Sequence, residues 1–532
     1  MSQYVNRNRK RRPGRRRRIK KSFLLFAGLC VVLVAAAVFV SVKYIFGNNV
    51  PVDASSSSSV SNASGGEQVS SGNSESTPSS TSSVFAPDTS KMPESSSISY
   101  ASINVAPGFE TSPLGGNYID VGNKYVCEVI TWEAETFDGK TKDDNSKPTN
   151  TPLPVGTVDY CYGTVFDNGK GRNDTTYRNW ATLRSGKRIY HESLKRQRSK
   201  IYNVSDYGTL PETNNVRIAS GGVSSDGRYT VLKLAVDWKA PFTLDLLPQN
   251  YHSTSNSSRD YTVDTVTYTY VDITFCYSAK TEIGDVTNLN LDGTIFKSAE
   301  WKKNASDYTL RLYLKKTGGF YGWYAEYDSA GNLVFNFLNP KKVTTDANGN
   351  VNFNGARIYI DVGHGGMDSG ASGGGYNESE RNLALAKALE KRLKEMGATV
   401  IMSRTGDTYM EAYDSMQRLR DAKADFAVCI HHDSESGGHS SGFSAFHYSV
   451  FSSLAAVDIR NATAAAGLYS NVNRVKWHYY FTARVAYCPT VLTENGFMSS
   501  STDLKVIGDN NKLSARANAL ANGIATYFKR NG

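Results

Sequence analysis

The feature that most constrains the fold is the run of residues 357–366, Arg-Ile-Tyr-Ile-Asp-Val-Gly-His-Gly-Gly. Its first six residues are mostly β-branched or aromatic, which is typical of a strand buried inside a parallel sheet. Gly363, Gly365 and Gly366 then allow a tight turn around His364 and leave its imidazole accessible. Ligands of open α/β sheets bind at the carboxyl ends of strands, so the run predicts a site at His364.

Strands and helices alternate along the rest of the C-terminal region. Leu385, Leu389, Leu393 and Met396 form a helical stripe that ends at Gly397, a helix-stop signal. Further strands are predicted at 399–404, 426–430, 442–448 and 491–493, and further helices at 415–424, 454–467 and 513–528. This order predicts a C-terminal α/β domain over residues 355–532, with a mainly parallel sheet and helices on both faces.

Residues 101–345 have a different pattern, in which apolar and polar residues alternate between turn signals. The region is rich in Tyr, Thr and Val, and residues 232–238 alternate just after an Asp-Gly turn. We expect residues 310–314 to pair with 333–337 across a turn near 329–332. The pattern predicts a β-rich region of one or two modules, a sandwich or a barrel. Trp323 and Tyr324 could stack on sugars, but core packing is the commoner role of such aromatic residues.

The net charge of +10 is confined to the N-terminus. Residues 1–21 carry eleven Lys and Arg and no acidic residue, so the remaining chain is nearly neutral. This distribution argues against a nucleic-acid-binding face. Residues 23–42 are apolar apart from Gly28 and Ser41 and would span about 30 Å as a helix, enough to cross a bilayer.

The N-terminal segments therefore predict a membrane protein with an external enzyme or binding domain. A retained transmembrane signal-anchor at 22–46 fits better than a cleaved signal peptide, whose apolar stretch is usually about 7–15 residues long. The basic tail 1–21 should stay cytoplasmic, which places the rest of the chain outside the cell membrane as a single-pass protein. Residues 47–100 are Ser-rich and predict a disordered linker.

Six cysteines without a Cys-x-x-Cys motif do not require a disulfide framework in a chain long enough to build cores. Whether one bridge joins two of Cys127, Cys161 and Cys276 stays open at this point.

Four polar side chains should meet at one edge of the predicted sheet. His364, His431 and Glu494 each follow a predicted strand, and Glu378 lies at the start of the first helix. Two imidazoles and a carboxylate are the donor set of a catalytic zinc site. A further carboxylate that does not bind the metal can take a proton from the attacking water and return it to a leaving group. The Gly-rich stretch 363–375 lacks the Gly-Lys-Ser/Thr sequence of a phosphate-binding loop.

From residue 357 onward the chain resembles the zinc-dependent N-acetylmuramoyl-L-alanine amidases of the third amidase family. Five runs in the same order carry the resemblance: Ile-Asp-Val-Gly-His-Gly-Gly (360–366), Glu-Ser-Glu-Arg-Asn-Leu (378–383), Ser-Arg-Thr-Gly-Asp (403–407), Cys-Ile-His-His-Asp (429–433) and Val-Leu-Thr-Glu-Asn-Gly-Phe-Met-Ser (491–499). The resemblance implies that His364, Glu378 and His431 bind Zn²⁺ and that Glu494 is the catalytic residue. It also implies cleavage of the amide bond between N-acetylmuramic acid and the L-alanine of peptidoglycan.

The chain departs from the family pattern after His431, where His432 and Asp433 replace a small residue and Asn. Chemistry alone does not choose between His431 and His432, although only one of two adjacent strand residues can face a metal, and the resemblance favours His431. The same choice arises between Glu378 and Glu380, and the motif register favours Glu378.

Three other polar residues in this region allow two interpretations each. Asp361 either orients a ligand histidine or bonds the backbone at the turn. His439 fits a solvated loop, and His478 either packs or faces substrate.

The whole sequence predicts a membrane-anchored, extracytoplasmic cell-wall hydrolase, an autolysin-type enzyme with peptidoglycan as substrate and no nucleic-acid partner. A zinc peptidase that cuts within the stem peptide and a non-catalytic, membrane-tethered peptidoglycan-binding protein are the alternatives.

Overall fold

The structure of the protein is a computed structural model. It describes residues 118, 120–138, 151–166, 178–193, 196–197, 199–249, 252–253, 261–262, 265–278, 283–304, 307–478 and 480–532. The predicted tail 1–21, transmembrane segment 22–46 and linker 47–100 lie outside these residues. Within these ranges, no helix combines the length and the apolar character needed to span a membrane.

The middle region is built almost entirely of β strands, as the alternating pattern predicts. One sheet has the order β2-β5-β4-β3-β1-β7 with β6 paired to β5, and two four-stranded sheets have the orders β10-β13-β15-β14 and β16-β17-β9-β8. The elements are β1 Tyr125–Val129, β2 Thr136–Asp138, β3 Val158–Phe166, β4 Arg178–Leu183, β5 Lys187–Ser193, β6 Arg196–Gln197, β7 Ser199–Asn203, helix α1 Val204–Tyr207, β8 Val216–Val223, β9 Tyr229–Val236, β10 Phe242–Leu247, β11 His252–Ser253, β12 Tyr261–Thr262, β13 Tyr270–Phe275, β14 Phe296–Lys303, β15 Tyr308–Leu314, β16 Trp323–Tyr327, β17 Leu333–Leu338, β18 Thr344–Thr345 and β19 Val351–Asn352.

The two four-stranded sheets pack face to face as a sandwich. Phe335 of β17 meets Phe242 of β10 edge-on, with ring centroids 4.9 Å apart, and Phe337 meets Phe296 of β14 at 5.1 Å. The expected hairpin between 310–314 and 333–337 is therefore wrong, because these strands belong to opposite sheets. β17 pairs instead with β16 across the tight turn, and β15 pairs with β13 and β14.

The C-terminal region folds into a six-stranded sheet of order β23-β20-β24-β27-β25-β26. The first four strands are parallel to one another, and β25 is antiparallel to β27. The prediction of a mainly parallel α/β sheet is thus confirmed. The elements are β20 Arg357–Val362, β21 Ser372–Gly373, β22 Tyr376–Asn377, α2 Glu378–Glu395, β23 Thr399–Met402, α3 Ala412–Asp421, β24 Phe426–Asp433, β25 Phe443–His447, α4 Ser453–Ala465, β26 Lys476–Trp477, β27 Thr490–Phe497, α5 Ser501–Ile507 and α6 Leu513–Asn531.

The two faces of this sheet are covered differently. Ile358 and Ile360 of β20 pack in one cluster with Leu385 and Leu389 of α2 and with apolar residues of α4 and α6. Tyr359, which points the other way, packs with residues of α3 and with the middle region. The second face is therefore covered by one helix together with the β-sandwich, and the two regions share a continuous apolar core.

Direct contacts hold the sandwich to the six-stranded sheet. The backbone N–H of Trp323 donates to the carbonyl of Ala486 at 2.7 Å, and the rings of Phe320 and Phe451 lie 5.5 Å apart. The Trp323 side chain is buried against Phe242 and Phe335, so it has the packing role. The five described cysteines are free thiols.

Candidate active site

His364 lies in the turn that follows β20. Its backbone adopts a positive φ of 61°, which a histidine rarely takes, and the flanking glycines allow the chain to reach and leave this conformation. Nδ1 of its ring is 2.8 Å from Oδ2 of Asp368, four residues further along the same loop. The imidazole is therefore held in a fixed orientation with Nε2 directed into the site.

Glu378 and His431 complete a cluster with His364. Oε1 of Glu378, the first residue of α2, is 3.1 Å from Nε2 of His364 and 3.0 Å from Nδ1 of His431. One possible ligand atom from each of the three residues lies within 4.8 Å of the other two. A β-carbon at Gly363 would stand 2.2 Å from the His431 ring, and one at Gly370 would stand 2.6 Å from Glu378. Glycine is thus required on both sides of the cluster.

The charges of the cluster stabilise one another. Burial alone would raise the pKa of Glu378, but hydrogen bonds to His364 and His431 outweigh it and lower that pKa below its usual range. The hydrogen bond with Glu378 is the main cause that raises the pKa of His364 to about 9. The cluster therefore has an ionised carboxylate at its centre that two imidazoles face.

The structure separates the two pairs of neighbouring residues that sequence chemistry left open. Glu380 points to solvent and pairs with Arg381, whereas Glu378 is buried. His432 points away from the cluster: its Nδ1 is 2.7 Å from Oδ1 of Asn382 and its Nε2 is 2.5 Å from the guanidinium of Arg516. Burial, followed by the nearby Arg516, lowers the pKa of His432 well below its usual value, so this ring is neutral.

Glu494 lies beside His431, because the two residues face each other in the register between β27 and β24. Both strands continue past these residues, so the two side chains project from within strands and not from the loops that we expected after them. Glu494 is 7% exposed, and its Oε2 has no hydrogen-bond partner among the described residues. Burial, with Asp433 and Glu378 nearby, raises the pKa of Glu494 well above its usual value.

Two residues that the sequence did not single out support the site. Arg404 donates to the carbonyls of Gly363 and Ser379 at 3.0 and 2.8 Å and so ties the histidine loop to the start of α2. Asp368 orients His364, the role that we had considered for Asp361. The buried Asp361 instead accepts a hydrogen bond of 2.5 Å from the Ser415 hydroxyl. A carboxylate four residues after the glycine-flanked histidine was the available signal for Asp368.

The two other histidines that the sequence analysis considered lie outside the cluster. His439 is exposed in the loop after β24, as expected. His478 is also exposed, and its ring stacks on that of Tyr480 at 3.9 Å, so it both packs on an aromatic neighbour and remains accessible.

Imidazoles and carboxylates cluster at the carboxyl edge of a mainly parallel sheet. This arrangement is typical of α/β hydrolytic enzymes. Residues 358–526 match the Amidase_3 family, described as N-acetylmuramoyl-L-alanine amidase, and the chain belongs to this family. It is therefore an amidase.

Each of three known relatives matches a third of the chain. The uncharacterized protein YqiI of Bacillus subtilis (strain 168) is 32% identical over 177 residues, which are 33% of this chain and 85% of YqiI. LytH of Staphylococcus aureus, a probable cell wall amidase, is 34% identical over 178 residues, which are 33% of this chain and 59% of LytH. The catalytic domain of CwlV, an N-acetylmuramoyl-L-alanine amidase from Bacillus (Paenibacillus) polymyxa var. colistinus, is 27% identical, with 33% of this chain and 98% of that domain covered and a TM-score of 0.32.

Proposed function

We propose that this amidase is a zinc-dependent, membrane-anchored enzyme of the cell wall. It cleaves the amide bond between the lactyl group of N-acetylmuramic acid and the L-alanine of the peptidoglycan stem peptide. The observation that carries the proposal is the convergence of His364, Glu378 and His431, with Glu494 next to them and not part of the cluster.

The donor set fits a catalytic zinc ion. Two imidazole nitrogens and one carboxylate oxygen are three ligands of a four-coordinate zinc, and one position then remains for water or substrate. Oδ2 of Asp368 lies 2.8 Å from Nδ1 of His364, where it would accept the Nδ1 proton once Nε2 binds the metal, which is the usual outer support of a zinc-bound histidine. Zinc bound there would polarise the substrate carbonyl and lower the pKa of a bound water toward neutrality.

Glu494 then acts as the general base and acid. Its Oε2, which no described group hydrogen-bonds, accepts the proton of the attacking water. The same carboxyl delivers this proton to the nitrogen of the departing L-alanine. Burial, with Asp433 and Glu378 nearby, raises the pKa of Glu494 and so favours its protonated form, which is the form that returns the proton to the leaving group.

Membrane anchoring is proposed from the sequence. The basic tail at 1–21 and the apolar residues 23–42 favour a single-pass anchor with the catalytic domain outside the cytoplasm, where peptidoglycan is located. The Ser-rich residues 47–100 would give the domain reach above the membrane.

Product analysis tests the proposed bond. The purified chain is incubated with peptidoglycan sacculi, with and without a metal chelator, and the released fragments are identified by mass spectrometry. We expect intact stem peptides with a free L-alanine amine, no release with the chelator, and recovery on addition of Zn²⁺. Cuts within the stem peptide would indicate the peptidase alternative, and binding without release would indicate the non-catalytic one.

A further inference from the structure

The candidate active site lies on the six-stranded sheet, which is therefore the catalytic sheet. The order of its strands gives the site two distinct sides. The sequence of strands is β23, β20, β24, β27 and β25. His364 follows β20, His431 lies on β24 and Glu494 lies on β27, so these residues form a row across the carboxyl edge of the sheet. Beyond Glu494 the edge continues to Ser444 of β25, which faces Glu494 in the register between β25 and β27. The ring of Tyr480 lies on the same side of the site and packs on Phe446 of β25 at 5.2 Å. Beyond His364 the edge continues to the loop that follows β23.

The loop beyond His364 presents apolar side chains to solvent. Among the side chains that the structure describes, five large apolar ones are exposed: Val155, Tyr207, Val223, Met367 and Tyr409. Met367 is 88% exposed and Tyr409 is 40% exposed. They belong to two touching loops, because a β-carbon on Gly366 would stand 3.3 Å from Cβ of Tyr409. Two exposed apolar residues thus lie together at the His364 side of the site.

These loops are held firmly. The backbone N–H of Gly366 donates to Oδ1 of Asp407 at 2.8 Å, and Arg404 donates to the carbonyl of Gly406 at 2.9 Å. At Gly365 a β-carbon would stand 2.3 Å from the carbonyl oxygen of Thr408, so the loops pack backbone against backbone. The exposed apolar surface is therefore presented on a fixed support and is suited to contact a ligand.

The chemistry of the reaction orients the substrate along this row. The departing amine must lie within hydrogen-bond reach of Glu494 to receive its proton, so the stem peptide continues toward the Tyr480 side. The carbonyl carbon lies at the His364, Glu378 and His431 cluster, and the acyl half, which carries the sugar, extends the opposite way. That direction leads to Met367 and Tyr409.

We propose that Met367 and Tyr409 form the binding site for the N-acetylmuramic acid ring of the substrate, an inference that rests on the proposed amidase function. The apolar face of the sugar and its N-acetyl methyl group pack on these two side chains, while polar groups of the ring remain in water. Met367 and Tyr409 are specificity-determining residues that contact only the sugar of the acyl half and take no part in proton transfer.

Two substrates with the same scissile bond test this assignment in the full chain. One is N-acetylmuramoyl tripeptide and the other is the D-lactoyl tripeptide, which lacks the sugar. We expect kcat/KM of the wild type to be about tenfold higher for the sugar-bearing substrate, since apolar packing contributes factors of this size to specificity. In the double variant Met367→Ser, Tyr409→Ser this preference should disappear, with kcat/KM for the lactoyl substrate unchanged within about twofold.

Val223→Ser is the matched control, because Val223 is also 40% exposed but lies on β8 of the sandwich. It should leave both values of kcat/KM unchanged. An equal fall in kcat/KM for both substrates in the double variant, or no fall for either substrate, would overturn the sugar assignment. Loss of activity on intact sacculi with both soluble substrates unaffected would also overturn it, because this surface would then contact the glycan polymer beyond the N-acetylmuramic acid ring. If the wild type cleaved neither soluble substrate nor sacculi, the proposed function itself would fail.

Discussion

The β-sandwich and the catalytic sheet each bury a carboxylate, and they treat it in opposite ways. Asp272 on β13 is 8% exposed, and both of its oxygens accept hydrogen bonds of 2.8 Å from Arg311. Glu494 on β27 is 7% exposed, but one of its oxygens has no partner among the described residues. Burial of a charge without a partner is costly and is typical of functional sites. The sandwich thus pairs both oxygens of its buried carboxylate, whereas one carboxyl oxygen of Glu494 has no partner among the described residues, as its proposed role in proton transfer requires.

The largest expected difference between these carboxylates is in turnover. Glu494→Gln removes the proposed proton acceptor and should lower kcat about 10³-fold, while the zinc content should stay at the wild-type value. Asp272→Asn is the matched change in the sandwich and should leave kcat within about twofold, with some loss of stability from the weakened Arg311 pair. Hydrolysis of peptidoglycan and elemental analysis check both variants. The comparison breaks if Glu494→Gln retains more than about a tenth of the activity.

In the interior of the C-terminal domain, a chain of hydrogen bonds leads to a proposed zinc ligand. Arg516 of α6 bonds His432, which bonds Asn382, and Nδ2 of Asn382 is 3.3 Å from Oε1 of Glu378. Arg516→Met leaves His432 without its donor and should lower the free energy of unfolding by about 2–4 kcal/mol. Because this chain of hydrogen bonds ends at a proposed ligand, zinc affinity should also fall about tenfold.

Phe335→Ala in the sandwich core is the control for Arg516→Met. The cavity that it creates should cost about 3–5 kcal/mol, but zinc affinity of the folded protein should not change. Denaturant unfolding and competition with a chelator give the two quantities. Unchanged zinc affinity in Arg516→Met would show that its bonds serve stability alone.

The catalytic sheet also predicts a pH dependence of stability, which appears only under acidic conditions. His447 on β25 is fully buried, and burial lowers its pKa to about 4, despite a hydrogen bond to the carbonyl of Ser449. The unfolded chain therefore binds a proton at higher pH than the folded one, with an unfolded pKa of about 6.5. The stabilising contribution of neutral His447 is complete above that pH and is lost as the pH falls toward 4, a decrease of roughly 3 kcal/mol.

His447→Leu should remove this part of the acid dependence, measured as the free energy of unfolding between pH 7 and about 4. His439→Gln, at an exposed loop position, should keep the wild-type dependence. Equal slopes for wild type and His447→Leu would show that His447 does not control acid stability.

Much of the catalytic domain could be predicted because its signals are local. A run of β-branched residues predicts strand β20. A stripe of leucines that ends at Gly397, which has a φ of 79°, predicts helix α2. The meeting of His364, His431 and Glu494 followed from the rule that parallel strands bring their carboxyl ends to one edge. Each of these inferences needed only the period of a segment and the residues that flank it.

The features that the sequence could not give depend on contacts between distant segments. Residues 310–314 and 333–337 have the same alternating pattern, and neither segment contains a signal that they belong to opposite sheets. Likewise, the distinction between Asp361 and Asp368 depends on Ser415, which comes from α3. Alternation defines which residues face a core but not which sheet supplies the other side of that core.

The most direct test of the account is the zinc content of the purified chain, measured by elemental analysis with folding checked by thermal unfolding. We expect about one zinc per molecule in the wild type and in His439→Ala, and close to none in folded His364→Ala, because His364 is one of the three proposed protein ligands. A folded His364→Ala variant that retains one zinc per molecule would contradict the proposed metal centre.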